Sequence, residues 1–185
     1  ATRAGATIPK TEERAITLRQ LRALYAEIVR RCEAEKWEGS FKRADGTFEK
    51  RRLTPETVNL YHLTELLIKP ATADRRCSYV ELVANGPQRP KWFVSHWWGE
   101  PVALFLRCLE QHAADHMLDE NTAYWVCAYA NNQHDVGGDV TADPSESSFV
   151  KAIALAEGRV VSILDEEGMT FTRSWCTLEI HVGLK

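Results

Sequence analysis

Three short apolar runs, separated by segments with helical periodicity, constrain the fold of this chain more than any other feature of its sequence. The runs are Lys91–His96, Ala123–Tyr129 and Val160–Leu164. Their apolar residues are continuous instead of alternating, which is typical of strands that are buried on both faces of a parallel sheet. Helical patterns at residues 101–116 and 146–157 separate the runs. This order predicts an α/β protein with a parallel sheet flanked by helices.

The residues before this pattern are predicted to form an N-terminal helical extension. We place the extension at residues 1–88 and the α/β domain at residues 89–185, because prolines interrupt the chain between them. Apolar residues at helical spacing follow Thr17, a residue type that caps helix N-termini. A second helix is predicted at residues 54–69, and residues 44–47 predict a turn.

The extension also bears on the edges of the predicted sheet. A sheet of three strands would expose a long unpaired edge, which is a liability for a folded protein. We expect either that the natural chain continues past residue 185 or that the extension covers that edge. Residues 1–16 are polar and are predicted to be poorly ordered.

Charge, hydropathy and cysteine content exclude several classes of protein. The net charge of −3 gives no general attraction to nucleic acid or to anionic membranes. No uninterrupted apolar run is long enough to cross a bilayer, so no membrane span is expected. The five cysteines are widely spaced and odd in number, and none forms a CxxC motif. This usage favours a reducing compartment, and we therefore expect a cytoplasmic protein.

The carboxyl ends of the three predicted strands carry the residues most suited to binding a ligand. In open parallel sheets, ligands bind outside these ends, at the point where the strand order reverses. Polar and aromatic side chains crowd all three ends, which is the composition of a pocket with a few convergent polar groups. Alternatively, each strand simply exits into a polar loop. The candidate ligand-binding residues are Ser95, His96, Trp97, Trp98, Asn131, Asn132 and Asp165.

The end of the chain adds an aromatic residue and a carboxylate to this set. A helix is predicted from Ser174, and Trp175 and Glu179 are four residues apart on it, so they share one face. The pair offers a nucleotide-like ligand a surface for stacking and an acceptor for sugar hydroxyls. Alternatively, Trp175 lies in the core and Glu179 is solvated.

Other chemistries find less support in the sequence. His112 and His116 have the spacing of a metal-binding helix face, but no HExxH motif and no third ligand accompany them. We therefore expect no metal site. Cys176 is either a reactive thiol near a helix N-terminus or a small core residue. Neither a GxGxxG nor a GxxxxGKS/T sequence occurs, so the dinucleotide fingerprint and the P-loop are both absent.

Assembled, these residues resemble a TIR domain (Toll/interleukin-1 receptor type) over roughly residues 91–185. The run Trp92–His96 resembles the first strand of that family, and residues 131–143 correspond to the loop after its second strand. The sequence from Ser174 to Glu179, Ser-Trp-Cys-Thr-Leu-Glu, resembles the helix start of plant-type members. The WFVSHWWGE string that begins at Trp92 resembles a branch of algal and protist multidomain proteins.

The resemblance implies a flavodoxin-like sheet and a set of activities. In TIR members that hydrolyse NAD, the glutamate of this motif is the catalytic residue, and it maps onto Glu179. A nicotinamide nucleotide is then the substrate, no cofactor is needed, and the N-glycosidic bond is cleaved by hydrolysis or cyclisation. The first alternative is a non-catalytic module that assembles with itself, with other TIR-like domains or with adaptors. The second is an enzyme similar to nucleoside deoxyribosyltransferases.

Overall fold

The structure, a computed structural model, describes residues 5–43, 45–135, 147–165 and 168–172. The strands in these ranges are β1 (Ile16–Thr17), β2 (Glu38–Lys42), β3 (Phe48–Arg52), β4 (Trp92–Ser95), β5 (Ala123–Trp125) and β6 (Val160–Ser162). The α-helices are α1 (Leu18–Ala34), α2 (Leu60–Leu63), α3 (Lys69–Thr72), α4 (Tyr79–Val83), α5 (Val102–Asp115), α6 (Cys127–Ala130) and α7 (Ser148–Leu155). A π-helical segment, Thr64–Ile68, joins α2 to α3, and 3-10 turns lie at Thr11–Glu13 and Met169–Thr172. None of these helices combines the length and the apolar character that crossing a membrane requires.

The larger sheet is mixed, and most of its strands are parallel. Its strand order is β1-β5-β4-β6, with β4 parallel to both β5 and β6 and with β1 antiparallel to β5. The predicted α/β class is confirmed, and the order β5-β4-β6 is compatible with a flavodoxin-like fold. β2 and β3 form a separate antiparallel hairpin around the predicted turn.

Both faces of the sheet are buried, as the continuous apolar runs predicted. On one face, Val94 and Tyr124 belong to the main core together with apolar residues of α1 and α5. On the other face, Phe93 stacks on Trp125 with ring centroids 5.1 Å apart, and α7 packs over this pair. Because successive side chains of a strand point to opposite faces, β4 and β5 each contribute to both cores.

The N-terminal part of the chain completes the sheet beside β5. Ile16 of β1 is fully buried and pairs with Tyr124, and the indole nitrogen of Trp125 donates a hydrogen bond of 3.0 Å to the Thr11 carbonyl. The prediction that residues 1–16 are poorly ordered is therefore wrong for the described residues from Thr11 onward. The polar appearance of this segment concealed single apolar residues, such as Ile8, that are buried completely.

Two predicted elements have different bounds in the structure. The helix predicted at residues 54–69 begins only at Leu60, because Thr57 and Val58 bond to the Thr54 carbonyl in a turn and Asn59 caps the helix. The second predicted strand ends at Trp125, and the rest of that apolar run forms α6. Apolar runs of this length are compatible with a buried strand or a buried helix, so periodicity alone did not separate them.

Candidate functional site

The strand order reverses at β4, and this defines a crevice at the carboxyl end of the sheet. The chain passes from β4 to β5 on one side and then returns to β6 on the other side. Ser95 pairs with Ser162, and the Ile163 amide donates a hydrogen bond of 2.9 Å to the Ser95 carbonyl. The loops that leave β4 and β6 are therefore neighbours, and ligands of open α/β sheets bind between such loops.

Backbone hydrogen bonds to the segment at the start of α2 fix the loop that leaves β4. The Leu60 amide donates to the Trp98 carbonyl at 3.0 Å, and the Val102 amide donates to the Val58 carbonyl at 2.8 Å. Within the loop, the Glu100 amide donates to the Trp97 carbonyl at 3.3 Å, which closes a turn. These bonds fix the backbone of the loop that carries Glu100.

Glu100 and Asp165 place two carboxyl groups at this end of the sheet, close enough for the charge of Asp165 to act on Glu100. The side chain of Glu100 is almost completely buried, with 6% of the residue surface exposed. Within the described ranges, no donor lies within hydrogen-bonding distance of its carboxyl. Burial, together with a smaller effect of the negative charge of Asp165, raises the pKa of Glu100 to about 7. Glu100 therefore exchanges a proton near neutral pH.

Asp165 is oriented by the turn that follows β6. Its carboxylate oxygen Oδ1 accepts a hydrogen bond of 2.7 Å from the Met169 amide, and its carbonyl accepts one of 3.1 Å from Gly168. Gly168 has a φ of 64°, which favours glycine in this turn. The Thr170 hydroxyl also anchors this turn, because it donates a hydrogen bond of 2.8 Å to the Ile163 carbonyl. The half-buried carboxylate is thus oriented by the turn that contains it.

His96 is the first residue after β4, and it is buried beneath the crevice. Its ring centroid lies 4.8 Å from that of Phe105 on α5, and 6% of the residue is exposed. Burial lowers the pKa of His96 to about 4, so the imidazole is neutral at physiological pH. A neutral imidazole supplies hydrogen bonds without adding positive charge. Ser95, immediately before it, is fully buried at the end of β4.

The two tryptophans of the loop have different environments. The Trp97 ring lies directly against the backbone of Gly99, where any Cβ atom would overlap it. Trp98 is turned toward the end of β5, because its indole nitrogen donates to the Cys127 sulfur at 3.2 Å. Its ring also contacts Tyr61, with centroids 5.6 Å apart. Trp98 therefore packs between elements, whereas the described contact of Trp97 is with Gly99 of its own loop.

Asn131 and Asn132 follow α6 and are tied to other elements. Asn131 caps α6 and accepts a hydrogen bond of 3.2 Å from the Ser148 hydroxyl of α7. Asn132 donates one of 2.8 Å to the Arg76 carbonyl, in the turn after α3. The intervening helix α6 separates both residues from the end of β5. Their predicted role as partners of a ligand in the crevice stays a prediction.

Trp175 and Glu179 lie outside the described residues, so their predicted roles stay predictions. Glu100, by contrast, was not among the residues that the sequence singled out for binding. One signal was present: Glu100 follows a glycine and precedes a proline and a helix, in the short loop after the first parallel strand. Acidic residues before helices are usually solvated, so the sequence did not indicate burial.

A metal is not indicated by the described part of the chain, where no three histidine, cysteine or acidic side chains converge. The rings of His112 and His116 lie 4.6 Å apart, and both pack against Trp92. His112 also contacts the Tyr124 hydroxyl at 3.1 Å through Nδ1. These histidines therefore belong to an aromatic cluster at the amino end of β4.

Comparisons with models of protein families, with curated proteins and with solved structures give no match to this chain.

Proposed function

We propose that this chain binds a nicotinamide nucleotide in the crevice between β4 and β6 and hydrolyses its N-glycosidic bond. The observation that carries the proposal is that Glu100 follows β4 and Asp165 follows β6 where the strand order reverses, close enough for the charge of Asp165 to act on Glu100. Open α/β sheets bind their ligands at this position. Enzymes that cleave glycosidic bonds also commonly use a pair of carboxyl groups in different environments.

The leaving group determines what the two carboxyl groups must do. The nicotinamide ring of NAD carries a positive charge, so it takes the electron pair of the broken bond and needs no proton. The ribose carbon C1′ then develops the positive charge of an oxocarbenium-like transition state. The carboxylate of Asp165, held by the Met169 amide, stabilises that charge as it develops.

Glu100 acts as the general base in this proposal. A water oxygen forms the new bond to C1′, and the Glu100 carboxylate accepts the proton that the water releases. A general base works best when its pKa lies near the working pH, and burial brings the pKa of Glu100 to about 7. Trp97 stacks on the nicotinamide ring, and the neutral His96 hydrogen-bonds to ribose or phosphate oxygens. The resemblance to TIR domains adds Glu179 as a catalytic carboxylate, bonded to the ribose hydroxyls or close beneath the ring, where it would stabilise the same developing charge.

The test is release of free nicotinamide from NAD by the purified chain. Wild type, Glu100→Gln, Asp165→Asn and Glu179→Ala variants are incubated with NAD, and nicotinamide is quantified by chromatography. Because removal of a general base typically costs a factor of about 100 or more, we expect Glu100→Gln to lower the rate at least that far. Activity of the wild type should rise with pH through the pKa of Glu100, near 7.

Glu110→Gln is the matched control variant. Glu110 also belongs to α5, but its carboxylate forms a surface ion pair with Arg22 at 2.7 Å. This variant should keep the wild-type rate. Nicotinamide release by the wild type that does not exceed release by Glu179→Ala and Glu100→Gln, even at high protein concentration, would overturn the proposed activity. A fully active Glu100→Gln variant would instead remove Glu100 from the mechanism.

A further inference from the structure

A second cavity, of about 490 Å³, lies where the N-terminal segment meets the turn after α3 and the chain after α6. Its volume is within the range of small-molecule sites. Three arginines contribute to its described lining, together with Thr7, Asn132 and Asp135. The arginines are Arg14, Arg75 and Arg76.

Two of the arginines are fixed by backbone carbonyl groups. Arg14 is largely buried and donates from Nε to the Ile8 carbonyl at 2.8 Å. Arg75 donates to the Glu81 and Ala6 carbonyls, each at 3.1 Å. Gly5 lies so close to Arg75 that a Cβ atom there would overlap the guanidinium. The two guanidinium groups are therefore preorganised before any ligand arrives.

Glu81 neutralises only part of this positive charge. Its carboxylate lies 3.6 Å from Arg14 and accepts hydrogen bonds from the Ile8 amide at 2.9 Å and from the Ser78 amide at 3.0 Å. Burial raises the pKa of Glu81, but these hydrogen bonds and the charge of Arg14 outweigh burial, so the pKa falls below its usual range. Glu81 is therefore ionised and is engaged by the fold.

Arg76 supplies a guanidinium that the fold does not use. It is exposed and has a φ of 46°, and its carbonyl accepts the hydrogen bond from Asn132 at 2.8 Å. Within the described ranges, its side chain makes no hydrogen bond and no ion pair. Among the described lining residues, three guanidinium groups thus accompany two carboxylates, those of Glu81 and Asp135, which leaves this part of the lining with a net positive charge.

We infer that this cavity binds the phosphate group of a small, hydrophilic ligand. Arginine suits phosphate because its planar fork of N–H donors matches two phosphate oxygens at once. The described lining contains no aromatic side chain on which a nucleobase could stack, so the cavity favours a sugar phosphate or inorganic phosphate over a nucleotide. This site is independent of the carboxyl pair at Glu100.

The test is calorimetric titration of the purified chain with four probes. The probes are ribose 5-phosphate, inorganic phosphate, unphosphorylated ribose and adenosine monophosphate. We expect ribose 5-phosphate and inorganic phosphate to bind and unphosphorylated ribose not to bind. Adenosine monophosphate should bind no more tightly than ribose 5-phosphate. Since a hydrogen bond between charged groups contributes roughly 1.5–3 kcal/mol, Arg76→Gln should weaken phosphate binding at least about tenfold.

Arg89→Gln is the matched control, because Arg89 is also an exposed arginine and lies outside the described lining. It should bind the probes like the wild type. No binding of either phosphate probe at millimolar concentration would overturn the inference, as would equal losses in Arg76→Gln and Arg89→Gln. Much tighter binding of adenosine monophosphate would overturn the ligand class. Glu100→Gln should leave phosphate binding intact, so failure here and failure of the proposed hydrolysis can be told apart.

Discussion

At the scale of single residues, Glu100 occupies an environment that opposes its own ionisation. Burial raises its pKa from an ordinary value of 4.5 to about 7, so the folded state holds a proton that the unfolded state releases. The stabilising contribution of the protonated form is complete below about pH 4.5 and is lost as the pH rises through about 7. An acidic residue whose ionisation destabilises the folded state is a candidate for a functional role.

This gives a prediction about stability that does not require a substrate. Glu100→Gln keeps the shape of the protonated side chain and cannot ionise, so it should be more stable than the wild type above neutral pH. We expect the free energy of unfolding at about pH 8 to rise by roughly 3 kcal/mol, with little difference near pH 4.5. Urea denaturation at both pH values measures this. Equal stability of the two proteins at alkaline pH would show that Glu100 ionises without cost.

Residue types at strand ends were predictable, whereas their burial was not. His96, Trp97 and Asp165 were identified because each lies just after an apolar run, and continuous apolar runs mark buried parallel strands. Glu100 was missed because burial is a property of the folded chain, and because Asp165, whose charge acts on Glu100, lies more than 60 positions along the chain. Arg76 was missed for a similar reason, since its neighbours in space, Thr7 and Asn132, are distant in sequence.

At the scale of elements, α1 illustrates how local sequence fixes a helix boundary. The Thr17 hydroxyl accepts a hydrogen bond of 3.2 Å from the Gln20 amide, and the Gln20 side chain accepts one of 2.9 Å from the Thr17 amide. This reciprocal arrangement satisfies two donors that the first turn would otherwise leave unpaired. Leu18, Leu21 and Leu24 then point into the core from one face of the helix.

We predict that Thr17→Ala destabilises the chain by about 1 kcal/mol, the typical cost of losing an N-cap. Thermal denaturation followed by circular dichroism measures the change. Ser40→Ala is a suitable control, because Ser40 is an exposed strand residue. The prediction is wrong if Thr17→Ala and Ser40→Ala unfold at the same temperature as the wild type.

Elements with a clear period and a cap were predicted, and elements without them were not. α1 and α5 were expected from helical spacing, and their bounds agree with the sequence to within a few residues. α6 was interpreted as the end of a strand, because Cys127-Ala128-Tyr129-Ala130 is apolar on every side. The amides of Tyr129 and Ala130 both donate hydrogen bonds to the Val126 carbonyl. Only this helical turn distinguishes α6 from a continuation of β5.

At the scale of the whole molecule, residues before 88 and after 89 share one core. Leu24 and Ile28 of α1 belong to the same buried cluster as Phe105 and Leu109 of α5. β1 pairs with β5 at the edge of the sheet, where an unpaired strand would otherwise be exposed. The segment before α2 also holds the loop that carries Glu100. The N-terminal part therefore contributes to the sheet, the core and the crevice.

The predicted boundary near residue 88 can be tested against this shared core. If residues 89–185 form an independent domain, that fragment should unfold cooperatively when produced alone. We predict instead that it does not, because it would lose β1 and the packing of α1 and would expose apolar surface worth about 25 cal/mol for each Å². The full chain should unfold in one transition that is coincident by circular dichroism and by tryptophan fluorescence. A cooperative urea transition in the fragment, or two separate transitions in the full chain, would contradict this prediction and support the boundary.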